Sequence, residues 1–195
     1  MKKVHIILAS ASPRRKELLS RLGWTFDVMP SNAKETHFQD EAPSDMVMRL
    51  SRLKGENVAS EHPQSLVISS DTAVFCDKEV FGKPKDASHA MAMLKHLSGK
   101  THQVYSGLAI FWHGNCRCAY ESTDVTFRPL SDDDILGYIA THEGDGCAGA
   151  YAIQGKGSVL IKGISGDYSN VVGLPMPLLA EMMETLGFSI SEIIN

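Results

Sequence analysis

The chain has 195 residues, 43% hydrophobic and 22% charged, which fits an ordinary globular domain and excludes a disordered or collagen-like chain. Its length predicts a single domain over 1–195 that buries roughly 70% of its unfolded surface without disulfide staples. A formal charge of −4 supplies no global basic field for a polyanion such as duplex DNA, so the expectation is no nucleic-acid partner.

Met1-Lys2-Lys3 followed by Val4–Ala11 imitates a signal peptide, but His5 interrupts it and a helix start follows at once. No other apolar run approaches the roughly 20 residues of a membrane span. The expectation is therefore a cytoplasmic protein with no membrane partner. Val4–Leu8 predicts a buried strand, Ser12 an N-cap, and Pro13 the first residue of a helix running through Leu18, Leu19 and Leu22 to Gly23. Thr25–Met29 predicts a second strand. A polar loop to Ala42 precedes a helix with Met46, Val47, Leu50, Leu53 and Val58 on one stripe.

Leu66–Ser70 predicts a strand that delivers Asp71-Thr72 at its C-terminal end, the edge where open α/β sheets place ligands. Asp86–Leu97 predicts a helix closed by Ser98-Gly99. His102–Trp112 and Cys118–Phe127 predict a hairpin around His113-Gly114-Asn115. Ser131 and Asp134 predict a capping box, Gly144–Gly157 a loop, Ser158–Ile164 a strand, and Pro177–Leu186 a last helix ended by Gly187. This alternation is that of an α/β fold. Cys76, Cys116, Cys118 and Cys147 show no C-x-x-C spacing, so reduced thiols are expected.

Charge is spread unevenly, with ten Lys/Arg against seven Asp/Glu in residues 1–60 and nine against sixteen thereafter. The first 60 residues can therefore hold a small anion. Ser10-Ala11-Ser12-Pro13-Arg14-Arg15 combines hydroxyls, a helix start with unpaired N–H groups and two guanidiniums, a phosphate site in miniature. Asp71 can hold a divalent cation or take a proton from water, although a strand-end Asp serves equally as a turn residue. Lys83 in Gly82-Lys83-Pro84-Lys85 suits a polyphosphate or is a solvated loop cation. Lys54 reaches inward to phosphate or snorkels along the surface, the pattern favouring the latter. In Ala148-Gly149-Ala150-Tyr151-Ala152-Ile153-Gln154-Gly155, Gln154 can read a donor–acceptor edge, and Tyr151 packs on a flat ligand or sits in the core. No nucleophile motif or metal-spaced histidine set is present, which argues against a covalent intermediate.

Taken together, L-A-S-A-S-P-R-R-K-E-L-L at 8–19, S-D-T at 70–72, G-K-P-K-D at 82–86, L-S-G-K-T-H-Q-V at 97–104, A-G-A-Y-A-I-Q-G at 148–155 and N-V-V-G-L-P at 170–175 resemble the Maf family of nucleotide pyrophosphatases. The resemblance is collinear over nearly the whole chain. It implies an α/β fold with a mixed, curved sheet flanked by helices and two lobes around a central cleft, similar to inosine triphosphate pyrophosphatase. It also implies hydrolysis of a nucleoside triphosphate between the α and β phosphates, a divalent cation (Mg²⁺ or Mn²⁺), and a homodimer.

By the same resemblance Asp71 is the catalytic acidic residue, Glu35 an acidic residue of a loop near the metal, and Arg14, Lys54 and Lys83 cleft cations; Ser10 and Arg15 of the helix-start turn are expected to join them in binding substrate. Arg14, Thr72 and Gln154 resemble the dTTP/UTP type, whereas enzymes acting on 7-methyl-GTP tend to carry Trp, Gln and Glu there. Cys147 departs from this pattern, standing where the pyrimidine type often has Lys. Two other readings stay open: pyrophosphatase action on 7-methyl-GTP or other modified purines, and regulation by binding, since Maf proteins are also associated with inhibition of septum formation.

Overall fold

The structure, a computed structural model, describes residues 4–36, 38 and 40–194. Its sheet starts at β1 (Ile6–Leu8), an all-apolar strand buried along its whole length. Central parallel strands, covered on both faces, read as continuous hydrophobic runs of this kind. β2 (Phe26–Val28) and β3 (Leu66–Cys76) flank it in parallel, Ile6 lying opposite both Phe26 and Leu66. α1 (Pro13–Ser20) connects β1 to β2; the Ser12 hydroxyl accepts from the Arg15 N–H and Pro13 occupies the first turn.

α2 (Pro43–Ala59) buries Met46, Val47, Leu50 and Val58, while Leu53 of the predicted stripe is only half-buried. Two glycines let this helix lie close on its neighbours. A Cβ on Gly107 would strike the Val47 backbone, and one on Gly55 would strike the Ser69 hydroxyl and the Phe111 ring. Ser69 Oγ completes the contact by donating to the Ser51 carbonyl at 2.7 Å. The residue before Gly55 is Lys54, so this close seat also determines where Lys54 starts.

β3 is longer than the sequence pattern predicts. It continues through Asp71 to Cys76, where Val74–Cys76 pair antiparallel with β4 (Glu79–Phe81). Asp71 therefore lies inside a strand rather than at its end, because Thr72–Phe75 are themselves good strand formers and find a partner. α3 (Ala87–Leu97) is capped by Asp86, whose carboxylate accepts from the His89 N–H. β5 (Thr101–Trp112) and β6 (Asn115–Phe127) form the hairpin, with a turn of only His113 and Gly114. Both turn residues are left-handed, φ 49° and 77°, as the twist-compatible two-residue turn requires. α4 (Asp132–Ile139) opens with the predicted Ser131–Asp134 capping box.

The strand expected from Ser158 starts only at β7 (Ile161–Ser165). Gly155–Leu160 curls instead into a 3₁₀ turn in which Ser158 Oγ donates to the Gly155 carbonyl at 2.7 Å. α6 (Met176–Thr185) matches the last predicted helix, while α5 (Tyr168–Val172) and α7 (Ile190–Ile194), five residues each, are too short to show a period. The seven-stranded sheet runs β2-β1-β3-β5-β6-β7 with β4 on β3; β6 and β7 are antiparallel, so the sheet is mixed.

The chain divides into two compact units, Met1–Asp71, Ser106–Glu121 and Gly173–Asn195 forming the first, Thr72–Tyr105 and Ser122–Val172 the second. Each has its own apolar cluster. Ile7, Ala9, Val58 and Val67 pack with Met29 and Phe111 in the first, and Phe81, Leu94, Leu97, Phe127 and Tyr151 belong to that of the second. All four cysteines are free, as expected. Among the described residues no helix is long and apolar enough to cross a membrane.

Candidate active site

In the first unit, β1 hands over to α1 through the turn that carries Ser10, Arg14 and Arg15. Ser10 is buried, and its hydroxyl accepts from the Ser12 N–H at 3.2 Å and from Arg15 Nη1 at 3.3 Å. Arg15 Nε donates to the Gly173 carbonyl at 2.8 Å, and Ser70 Oγ donates to that same carbonyl at 2.9 Å. One backbone oxygen thus ties the helix start, the strand that bears Asp71 and the N-V-V-G-L-P segment together. Gly173 has φ 120°, a conformation open to glycine and hostile to side chains. Burial pulls the Arg15 guanidinium below its ordinary pKa, with Asp71 and Glu35 pulling it back up and Arg14 adding to the depression. Arg14 itself is half-buried.

Three of the predicted residues meet around one ammonium. Lys54 Nζ lies 2.5 Å from Asp71 Oδ1 and 2.9 Å from Glu35 Oε1, with only 15% of the Lys54 side chain and 12% of the Asp71 side chain exposed. Lys54 therefore points inward, against the surface role its helical pattern favoured. The loop that carries Glu35 is pinned to α2 on both sides. Asn57 Oδ1 accepts from Ser31 Oγ and from the Asn32 N–H, and Arg49 grips both oxygens of Glu41 while its Nη2 donates to the Thr36 carbonyl. The Arg49 guanidinium also lies over the Phe38 ring, 4.4 Å from its centre, and its hydrogen bond to Glu41 raises its pKa.

Two carboxylates converging on a positive charge, Asp71 buried and Glu35 exposed, offer the all-oxygen donors a hard divalent cation prefers. Glu35 and Asp71 thus offer oxygen ligands of the kind that Mg²⁺ or Mn²⁺ takes. The ammonium of Lys54 marks the point at which their two charges can be shared.

In the second unit the Lys83 and Gln154 loops are joined through backbone, the Gly149 N–H donating to the Gly82 carbonyl at 3.0 Å. Lys83 is exposed and Gln154 half-buried. The segment around Gln154 is staked before and after that residue. His102 Nε2 lies 2.8 Å from the Tyr151 hydroxyl, the Tyr138 hydroxyl accepts from the Ala152 N–H at 2.9 Å, and Glu143 Oε2 accepts from the Gly157 N–H at 3.2 Å. Tyr151 is buried against His102 and Phe127. It is a core residue, which decides against stacking on a ligand. Burial pushes its phenol pKa up and the His102 imidazole down to about 4. Cys147 is buried too, its thiol donating to the Glu143 carbonyl at 3.4 Å. Ala150 adopts φ 61°, a left-handed conformation that a non-glycine residue takes only under constraint. Thr72 is half-buried, and the pleat of β3 sends consecutive side chains to opposite faces, so Thr72 does not share the face of Asp71.

The sequence reading passed over Gly55, Arg49, Asn57, Gly173 and the His102, Tyr138 and Glu143 stakes. Gly173 and His102 left a usable trace, each lying inside a motif whose role was not specified.

Comparison with known proteins gives a consistent picture. The family model described as "Maf-like protein" matches residues 5–186. The dTTP/UTP pyrophosphatase of Bacillus cytotoxicus is 46% identical over 178 residues, 91% of this chain and 93% of its own length. Those of Clostridioides difficile and Methanococcoides burtonii are each 44% identical, covering 93% and 95% of this chain and 94% and 96% of their own. Among solved structures the Staphylococcus aureus Ham1 protein superposes with a TM-score of 0.54 at 13% identity, over 93% of this chain and 99% of its own, a likeness of fold alone. With a family match across nearly the full length and relatives above 40% identity, the chain belongs to the Maf family.

Proposed function

We propose that this chain is a single catalytic domain that hydrolyses nucleoside triphosphates, dTTP and UTP foremost, to the monophosphate and pyrophosphate. The observation that carries the reading is the meeting of Asp71 and Glu35 on Lys54 Nζ, in a chain whose relatives bear the name dTTP/UTP pyrophosphatase. Glu35 and Asp71 would hold Mg²⁺ or Mn²⁺. When bound, such a cation offsets phosphate charge and makes water more acidic.

Asp71 takes the proton of the water that attacks the α phosphorus. The bond from that phosphorus to the α–β bridging oxygen breaks, and pyrophosphate leaves with the oxygen. Lys54 keeps the Asp71 carboxylate aimed and counters its charge. Arg14 meets phosphate oxygens, and Arg15 holds the Ser10 turn in place through Gly173. Lys83 supplies a further point charge to the phosphate chain. Gln154 pairs its amide donor and acceptor with the carbonyl and N–H edge shared by uracil and thymine. Guanine presents another pattern, and a polar site with mismatched partners rejects a wrong ligand by up to roughly 10⁴-fold.

The experiment is a panel of dTTP, UTP, CTP, GTP and 7-methyl-GTP with Mg²⁺ or Mn²⁺ in heavy-oxygen water. Pyrophosphate release led by dTTP and UTP is expected, with the label in the monophosphate. Label in pyrophosphate would overturn the site of attack. A profile led by 7-methyl-GTP would overturn the role of Gln154, and no turnover of any nucleotide would favour the regulatory reading. The cytoplasmic, homodimeric setting implied by the family is part of the same proposal, and sedimentation equilibrium checks the dimer.

A further inference from the structure

The second unit brings together a thiol, a carboxylate and an imidazole that none of the chemistry above uses. Cys76 ends β3, Asp77 opens the turn into β4, and His96 lies in the last turn of α3. One ligand atom from each, Cys76 Sγ, an Asp77 carboxylate oxygen and a His96 ring nitrogen, all lie within 4.8 Å of one another. His96 Nε2 is a buried nitrogen that faces Asp77 Oδ2 at 3.2 Å without a well-aligned hydrogen bond. A buried nitrogen without a well-made hydrogen bond favours a further partner. The Phe81 ring packs on the imidazole at 5.1 Å, limiting its rotation.

We propose that Cys76, Asp77 and His96 bind a thiophilic divalent metal ion, Zn²⁺ fitting best, with solvent completing the coordination. A thiolate with an imidazole selects zinc-like ions, whereas the all-oxygen pair Glu35 and Asp71 suits Mg²⁺ or Mn²⁺. Zinc bonds of about 2.0–2.3 Å in tetrahedral array set ligand atoms about 3.4–3.6 Å apart. His96 and Asp77, at 3.2 Å, already meet that spacing, so only Cys76 Sγ and its two partners must draw together, by about 1 Å at most. Asp77 is exposed in a two-residue turn, Asp77 and Lys78 having φ 49° and 70°, so the closing movement falls on a surface hairpin. Metal binding displaces the Cys76 thiol proton to solvent.

One group opposes the ion. Lys100 Nζ donates to Asp77 Oδ2 at 2.7 Å. Its side chain is 43% exposed and can withdraw into water. Lys100 is thus the resident cation that the metal must displace or share the carboxylate with. An ion here clamps the β3–β4 hairpin to α3, immediately before Gly82 and Lys83.

The test is titration of the full chain, stripped by chelator and kept reduced, with Co²⁺ as the probe and Zn²⁺ as competitor. A near-ultraviolet thiolate-to-cobalt charge-transfer band is expected, saturating at one ion per chain, bleached by Zn²⁺ and indifferent to excess Mg²⁺. Cys76→Ser should abolish the band, His96→Gln should weaken affinity by roughly tenfold or more, and Lys100→Met should tighten it. No band, a band that survives Cys76→Ser, or unchanged affinity in His96→Gln overturns the proposal. Should Cys76→Ser fail to fold, His96→Gln and Lys100→Met, at less buried positions, decide alone. Because the readout is metal binding, the outcome is independent of whether the chain hydrolyses nucleotides.

Discussion

In the unit that bears Asp71 the candidate groups are held by one another, through side-chain ion pairs and hydrogen bonds. Lys54 lies between Asp71 and Glu35, and Arg15 reaches both Ser10 and the Gly173 carbonyl. In the unit that bears Gln154 they are held from behind, by backbone and by buried aromatic rings, with Lys83 exposed and Gln154 half-buried. The first arrangement ties charge to charge, so removing one member leaves another partly buried without its partner. The second separates the reading group from its support, so that base preference can change without disturbing the core.

If mutual ion pairing is what arms the first unit, Asp71→Asn should be the most damaging change. It keeps the shape and removes the charge, so kcat should fall roughly 10²-fold or more, and the unfolding midpoint should drop as well because Lys54 loses a buried partner. Steady-state pyrophosphate release on the folded variant checks this, and near-normal turnover breaks the comparison on that side.

The buried supports of the second unit should show in stability rather than rate. His102 titrates near 4 in the folded chain against 6.5 ordinarily. Between those values the unfolded chain binds the proton and the folded one does not, so stability is full above pH 6.5 and falls as pH drops towards 4. The loss is about 3 kcal/mol by the free energy of such a shift. Denaturant unfolding at neutral and acid pH measures it. His102→Gln, which can still bond the Tyr151 hydroxyl but does not titrate, should flatten the slope.

Lys83→Ala should cost kcat/KM on the order of 10- to 100-fold, the worth of one charge-assisted contact of about 1.5–3 kcal/mol, with stability unchanged because its side chain is exposed. Unchanged kinetics would leave it a solvated cation. The smallest effect belongs to Ala150→Gly. Relief of the left-handed conformation should stabilise by no more than about 1 kcal/mol, offset in part by the greater freedom of glycine when unfolded. If it also alters the ratio of UTP to GTP turnover, the loop conformation contributes to reading the base.

Much of the frame was legible in the chain itself, because it is written in local signals. Ser12-Pro13 and Ser131 through Asp134 carry cap chemistry that acts within one turn, and both helices start where that chemistry predicts. The hairpin around His113-Gly114 is equally local. The motifs too could be read in order, since family resemblance depends on residue identity and spacing.

What could not be read depends on partners distant in sequence. Helical periodicity places Lys54 beside an apolar stripe and leaves it free to reach inward or to solvent; Gly55 seating α2 against Ser69 and Phe111, and the carboxylates of Asp71 and Glu35, decide the question. Tyr151 had two equal roles until His102 and Phe127 enclosed it. β3 ran past Ser70 because β4 offers Val74–Cys76 a pairing edge. The sequence alone determined which elements form and which chemistry-bearing residues the chain owns, since caps, turns and periodicity act over a few residues. Only tertiary structure decided which charges meet, which rings are buried and which carbonyl receives Arg15, because those outcomes depend on contacts between segments 17 to 158 residues apart.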